Sequence, residues 1–402
     1  MRYRYNPRFL SARYEEFDQI LFDPKLVLDP DFMHLWADKY WQPTPQSIVD
    51  ACIKNTNPDT IAGFPPAGET PEFKEAIAEK LRKENNIIVN DPQKEIGYCH
   101  GIAGGFKAAC DVFLDIADEA LVLDPSFTYA WGLCDETGTK AVSVPITEGQ
   151  DWNIRPENVP DLLEPLISKN TKMFIATHPG NPTGTVFSRA TLEAIGDILR
   201  DHEILFLEDC AYERRIYDGR KFVPMAAIPE MRDYVITIMG FDKIYNTMSL
   251  RTGYIFANED IVRKIWKWHM LDGVDPPAIF RKALITALTM DQSFHDAYLE
   301  EWDTMRRYAY NEIRKIPGVT LRMPHSGTFH YVNTSRLGTT QEVFAYLRDT
   351  EKVLVTPGPW YGPSGEGYVR ICYATYPPEK TKEGVQRIVD GLTTLAKQKG
   401  IT

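Results

Sequence analysis

The sequence predicts an α/β fold with a largely parallel sheet, and two observations predict it. From about residue 94 to residue 256, short apolar runs alternate with amphipathic helical stretches, the pattern of strands joined by covering helices. Those runs lack polar alternation, which suits strands buried on both faces.

The candidate strands are residues 96–99, 120–123, 141–144, 173–177, 204–207, 235–239 and 254–257. Residues 103–114 and 191–200 place apolar side chains at helical spacing between them. After residue 285 the texture changes: a helical stretch over 293–315, strand-like runs at 319–322 and 328–332, then a final helix from 381 onward. This reads as a smaller α+β unit over 286–402, beside a large unit over 51–285. The opening residues 1–50 are irregular and rich in aromatics, and are expected to pack with the smaller unit.

Composition narrows the function. The 402 residues are 43% apolar and 25% charged, as in globular proteins. The net charge of −11 argues against a nucleic-acid surface. No apolar run is long enough to span a membrane, and the N-terminus lacks the apolar core of a signal peptide. Cys52, Cys99, Cys110, Cys134, Cys210 and Cys372 form no C-x-x-C pair, so neither a zinc site nor a redox motif is expected. A cytoplasmic protein without nucleic-acid or membrane partners is the expectation.

Ligands of open α/β sheets bind beyond the carboxyl ends of the strands, so the residues after each run carry the chemistry. After 96–99 comes His100-Gly101-Ile102-Ala103-Gly104-Gly105, opening a helix. Backbone N–H groups there can meet an anion, although such glycines are as often only a tight turn. Phe127 follows the next run, in Asp124-Pro125-Ser126-Phe127; a packing aromatic is the plain alternative. The run His178-Pro179-Gly180-Asn181-Pro182-Thr183-Gly184 fixes an amide in a rigid loop. Asp209 and Tyr212 follow the fifth run, and Lys243 the sixth, with Arg251 eight positions later. A lysine after a strand is usually solvated, but this one shares a rim with Asn181 and Asp209. One ligand would use a phosphate cradle, an aromatic face, a donor for a ring oxygen, a carboxylate for a ring nitrogen and an amine for a carbonyl. Pyridoxal 5'-phosphate has each of those features.

With these motifs in place, the sequence resembles the class I/II aminotransferases of fold type I, over about Pro43 to Ile388. The run from His178 to Gly184 resembles the family's asparagine loop, and Asp209-Cys210-Ala211-Tyr212 its D-x-A-Y element. Lys243 and Arg251 match its Schiff-base lysine and phosphate arginine. Pro357 to Gly362 and Val369-Arg370-Ile371 resemble its C-terminal motifs.

The resemblance implies a large domain with a mostly parallel seven-stranded sheet, a smaller α+β domain and a homodimer. It implies that Lys243 carries the cofactor and then acts as the base at Cα. Asp209 is expected at the pyridine nitrogen, Asn181 and Tyr212 at the phenolic oxygen, and Phe127 against the ring. Arg251 with the backbone of Gly101, Ile102 and Ala103 is expected at the phosphate. Arg370 is expected at the substrate α-carboxylate, where its planar fork suits a bidentate pair. Amino transfer from an L-amino acid to a 2-oxo acid follows, with 2-oxoglutarate the acceptor by analogy.

The sequence departs from the family at several points. Gly240 and Asp242 replace two serines ahead of the lysine. Asp242 thereby adds a negative charge beside it, which favours a protonated nitrogen unless the carboxylate turns to solvent. Ile102 and Ala103 replace small hydroxyl residues. Near Gly63 and Phe64 the family's tyrosine for the partner's phosphate is missing. These changes leave open a lyase, decarboxylase or amino-acid oxidase using the same cofactor. A regulatory module lacks room for a DNA-binding unit ahead of residue 43. His178 is read as packing or capping and His100 as a second-layer candidate. Residues 263–268 are read as a helix with one solvated and one packed face. Arg2, Arg4, Arg8 and Arg13 are read as tail charges, with closure over an acidic substrate as the alternative.

Overall fold

The computed structural model describes Asp23, Leu26 and residues 28–62, 71–272 and 277–402. The arginines of the tail, Tyr14, Phe17, Phe22 and the stretch 63–70 lie outside these residues.

A two-residue strand, β1 (Met33–His34), opens the described chain. The main sheet follows: β2 (Ile96–Cys99), β3 (Glu119–Asp124), β4 (Lys140–Pro145), β5 (Thr171–Thr177), β6 (Leu205–Asp209), β7 (Val235–Gly240) and β8 (Gly253–Phe256). Their spatial order is β2-β8-β7-β6-β5-β3-β4. The pairs β4–β3, β3–β5, β5–β6 and β6–β7 are parallel, whereas β8 runs antiparallel to both β7 and β2. The reversal has a plain cause. A parallel crossover takes a dozen or more residues, usually with a helix lying across the sheet. Between β7 and β8 stands only a one-turn α-helix (Asp242–Tyr245) and a short 3-10 turn.

Each central strand is covered on both sides. In β3, Leu121 and Leu123 enter one apolar cluster while Ala120 and Val122 enter another; β5 does the same with Phe174 and Ala176 against Met173 and Ile175. Successive side chains of a strand point to opposite faces, so unbroken apolar runs serve both clusters. The helices Gly101–Phe113 (α1), Thr128–Thr137 (α2), Arg189–Asp201 (α3) and Glu259–Asp272 (α4) cover the faces. Ser188 caps α3 by accepting from Thr191 N–H at 3.1 Å.

A second core gathers around an antiparallel sheet of four strands in the order β12-β13-β10-β9: β9 (Thr320–Leu321), β10 (Phe329–Asn333), β12 (Thr356–Pro357) and β13 (Tyr368–Cys372). Trp302, Met305 and Ile313 of helix α5 (Phe294–Ile313) and Val385, Ile388 and Leu392 of helix α6 (Pro378–Gln398) pack there. So do Phe32, Met33, Leu35 and Tyr40 of the opening segment. β1 pairs in parallel with β11 (Val353–Leu354), and Cys372 N–H donates to the Leu35 carbonyl at 2.7 Å. The opening segment is thus fastened to this second core, although Trp41 stays 38% exposed.

The six cysteines carry free thiols. Among the described residues no helix is long and apolar enough to cross a membrane, and no cluster of three or more metal-ligating side chains forms. In α4, Arg263 and Lys264 pair with Asp260 on the solvent side while Ile265 is buried.

Candidate active site

The carboxyl ends of β2, β3, β5, β6 and β7 form one rim of the main sheet. Because β8 is antiparallel, its entrance lies on that same rim, and Arg251 sits two residues ahead of it. Ile102, Ala103, Phe127, Asn181, Asp209, Tyr212, Lys243, Arg251 and Arg370 all line one cavity of about 320 Å³. Asp38, Tyr129, Trp36, Met248, Trp360 and Tyr361 line it too.

At one end lies an anion cup. Gly101 opens α1 with φ +66°, and a Cβ there would stand 2.8 Å from Nη2 of Arg251. Only glycine takes that backbone and lets the guanidinium close over the helix N-terminus. The first N–H groups of α1 have no partner within the helix. The cup also holds Asp242, which is 7% exposed and reaches Nη1 of Arg251 at 3.5 Å. The alternative of a carboxylate turned to solvent is therefore corrected: Asp242 is buried, and its Oδ1 has no hydrogen-bond partner. Gly240 makes the space. A Cβ at 240 would meet that Oδ1 at 2.5 Å and Ile102 at 2.9 Å, so the two replacements fit as a pair. Burial raises the Asp242 carboxyl above its ordinary value, opposed by Lys243 and Arg251.

At the centre, Asp209 ends β6 and is 2% exposed. Tyr129 donates to its Oδ2, and Ala211 N–H donates to Oδ1 at 2.9 Å. Burial pushes its pKa up to about 6 despite these donors. Phe127 meets Tyr129 edge-on at 4.7 Å. The asparagine loop closes through Gly180 N–H to the Thr185 carbonyl at 2.8 Å and Gly184 N–H to the Gly180 carbonyl at 2.9 Å. This directs Asn181 so that Nδ2 donates to the Tyr212 hydroxyl at 3.0 Å and Oδ1 accepts from Nη1 of Arg370 at 2.9 Å. The Tyr212 hydroxyl in turn donates to Asp38 Oδ2. Asn181 and Tyr212, expected on one oxygen, are joined to each other.

Lys243 stands in the one-turn helix after β7, its side chain 18% exposed. Nζ donates to the Asp38 carbonyl and lies 2.9 Å from Asp38 Oδ2. Its own carbonyl accepts from the buried Arg215 guanidinium, which rests over Trp302 at 4.2 Å. Arg370, in β13, is 4% exposed. Its Nη2 donates to the Trp36 carbonyl at 2.8 Å, and its Nε is buried without a partner. Burial opposes ionisation of Asp38, yet Lys243, Arg370 and the Tyr212 hydroxyl outweigh it and hold its pKa at about 2.

The two histidines divide. His178 is wholly buried: Nε2 accepts from Phe187 N–H at 3.0 Å, so Nδ1 carries the proton toward Glu208 at 3.0 Å. It braces the loop, as packing or capping requires. His100 meets His269 edge-on at 6.3 Å and does not line the cavity. Sequence reasoning missed Asp38, on an irregular segment with no periodicity. It also missed Tyr129, whose signal is its place two residues beyond Phe127 in the first turn of α2.

These residues fit pyridoxal 5'-phosphate on the structure's own terms. A glycine cradle and a guanidinium suit a phosphate. A buried carboxyl suits a protonated ring nitrogen, and an unpartnered buried guanidinium N–H awaits a carboxylate. Fold and site together define a pyridoxal-phosphate-dependent transferase. The chain belongs to the family "Aminotransferase class I and II", whose pattern matches residues 30–388. It is 32% identical over 348 residues to the aspartate aminotransferase of Pyrococcus abyssi, covering 86% of this chain and 87% of that one. It is 30% identical to aromatic-amino-acid aminotransferase 2 of Thermococcus litoralis, covering 79% and 80%. The aromatic aminotransferase of Pyrococcus horikoshii superposes with a TM-score of 0.85 at 27% identity, over 94% of this chain and 99% of that structure.

Proposed function

We propose that this enzyme moves the amino group of an L-amino acid to a 2-oxo acid, with Lys243 as the covalent anchor of the cofactor and as the proton carrier. The observation that carries the reading is convergence. Lys243 with Arg251, Asp209 with Tyr212, Asn181, and Arg370 come from four separate segments and face one cavity. When bound, the cofactor supplies an electron-withdrawing ring that accepts the electron pair left by the departing Cα proton.

The chain's own groups do the rest. Arg370 binds the α-carboxylate through a guanidinium already oriented by Asn181 and the Trp36 carbonyl. Nζ of Lys243, which lines the same cavity as Arg370, takes the proton from Cα. Asp209, steadied by Tyr129 and Ala211 N–H, keeps a proton on the ring nitrogen. Arg251 and the first N–H groups of α1 hold the phosphate. Trp36, Trp360 and Tyr361 exclude water from the substrate side.

The same wall bears on the amino donor. Among the described lining residues the cations are Lys243, Arg251 and Arg370, and each has its place. The remaining aromatic surface favours an apolar or aromatic side chain over a second carboxylate. Family membership and the reduced cysteines support a cytoplasmic homodimer.

A panel of amino acids in single turnover tests the reading. Stoichiometric 2-oxo acid with conversion of the cofactor to its amine form is the expected result, with phenylalanine outpacing aspartate. Ammonia release or oxygen uptake in place of the amine form would assign a different reaction to the same site. Sedimentation tests the dimer.

A further inference from the structure

The group held closest to the reacting amine is one that the sequence reading left unassigned. Asp38 lies on the irregular segment between β1 and the Gln46–Asn55 helix. Its carbonyl accepts from Lys243 Nζ, and its Oδ2 stands 2.9 Å from that nitrogen. Oδ2 also accepts from Tyr212, and Oδ1 accepts from Thr328 Oγ1 at 2.8 Å. The backbone is pinned on either side: ahead of it Nη2 of Arg370 holds the Trp36 carbonyl at 2.8 Å and Thr375 Oγ1 donates to the Ala37 carbonyl at 2.7 Å, and beyond it Trp41 N–H donates to the Ala374 carbonyl at 3.2 Å. A carboxylate with three donors on its two oxygens, on a tethered backbone, is a built feature rather than a passing contact.

We infer that Asp38 is the counter-ion of Lys243, a positioning residue that holds Nζ at the substrate side of the cavity and favours the protonated state of the nitrogen. The inference rests on the proposed role of Lys243 as cofactor anchor. The physical basis is the sign of the charge. An anion within about 4 Å stabilises a cationic nitrogen, and the effect grows as water is excluded. Asp209, Asp242, Cys372 and the Tyr40 ring also face this amine. Asp242 is engaged with Arg251 at 3.5 Å and Asp209 with Tyr129. Among the described residues, Asp38 alone of the three carboxylates pairs with Lys243 within 4 Å. When bound, the cofactor would supply the electrophilic carbon, and Asp38 would hold the lysine nitrogen charged and in place beside it.

The test is a pH titration of the near-ultraviolet and visible absorbance of the cofactor-loaded enzyme, which reads the protonation of the Lys243-linked nitrogen without turnover. Asp38→Asn is expected to lower the midpoint by about 1–3 pH units, the range for loss of a close opposite charge. Asp38→Glu is expected to return it toward the wild-type value. A midpoint in Asp38→Asn within about 0.3 unit of wild type, or one in Asp38→Glu displaced as far as in Asp38→Asn, overturns the inference. Should Asp38→Asn fail to fold, Asp38→Ser decides. It also removes the charge, and a downward shift of similar size is expected; no shift, or an upward one, overturns the inference. Borohydride fixation and peptide mapping are run on the same samples. Label at Lys243 with an unmoved midpoint removes the role of Asp38 and leaves the proposed function standing, whereas label elsewhere removes the proposed function itself.

Discussion

Tyr129 donates its phenolic hydrogen to Oδ2 of Asp209, so the carboxylate at the floor of the site is held from α2 as well as by its own chain. Only Ala211 N–H, at 2.9 Å, remains on the other oxygen. Removing the hydroxyl leaves a buried charged acceptor one donor short, a loss of roughly 1.5–3 kcal/mol for a hydrogen bond to a charged group. Tyr129→Phe is therefore expected to weaken cofactor retention by about tenfold or more, measured as the dissociation constant of the cofactor. Unchanged retention would show that the ring nitrogen and Ala211 suffice.

Asp209 makes stability depend on pH in the cofactor-free enzyme. Burial raises its carboxyl from 3.8 to about 6. A raised folded-state pKa contributes stability that is full below the unfolded value and is lost as pH rises through the folded one, here between 3.8 and about 6. Asp209→Asn removes the buried charge, and the variant is expected to exceed the cofactor-free wild type by about 1–3 kcal/mol at pH 8. The difference should vanish near pH 4. Thermal unfolding at the two pH values measures it; a gap that does not widen with pH contradicts the burial argument.

Arg370→Lys keeps the charge and removes the fork. Two directed donors, to Asn181 Oδ1 and the Trp36 carbonyl, are lost along with the unpartnered Nε. A fall of about a hundredfold in kcat/KM is expected, carried mainly by KM for the amino acid and the 2-oxo acid alike. Steady-state kinetics with both substrates checks it. A change confined to kcat would place the guanidinium elsewhere in the reaction.

Asp242→Ser replaces the anion in the phosphate cup by a hydroxyl and frees Arg251. Like charges a few ångströms apart oppose each other by about 1 kcal/mol or more, and more where water is excluded. The variant is expected to bind the cofactor about five- to tenfold more tightly, and inorganic phosphate should compete more effectively. A weaker cup in this variant would mean that Asp242 serves chiefly to aim Arg251.

Much of the site was legible because its residues follow apolar runs in sequence order. Asn181, Asp209 and Lys243 each stand at or just beyond a strand end, where an open α/β sheet puts its ligands. Arg251 was legible only by resemblance, since its place on the rim depends on the reversed direction of β8, which an apolar run does not encode. The length of the β7–β8 connection is the sequence signal for that reversal. The burial of Asp242 was hidden because it depends on the missing Cβ of Gly240 and on Ile102, two contacts brought together only by folding. Asp38 was hidden for a different reason. No pattern marks it, and it reaches Lys243 across 205 positions of chain.

That reach has a mechanical consequence. The segment carrying Asp38 is hydrogen-bonded to β13 through Leu35 and beside β11 through Met33 and His34, while the lysine belongs to the larger sheet. A hinge that swings the smaller sheet outward drags the carboxylate off the amine, and one that swings it inward presses the two together. Access and charge pairing are thereby geared to the same lever: the wider the mouth stands open, the less charge compensation Lys243 retains.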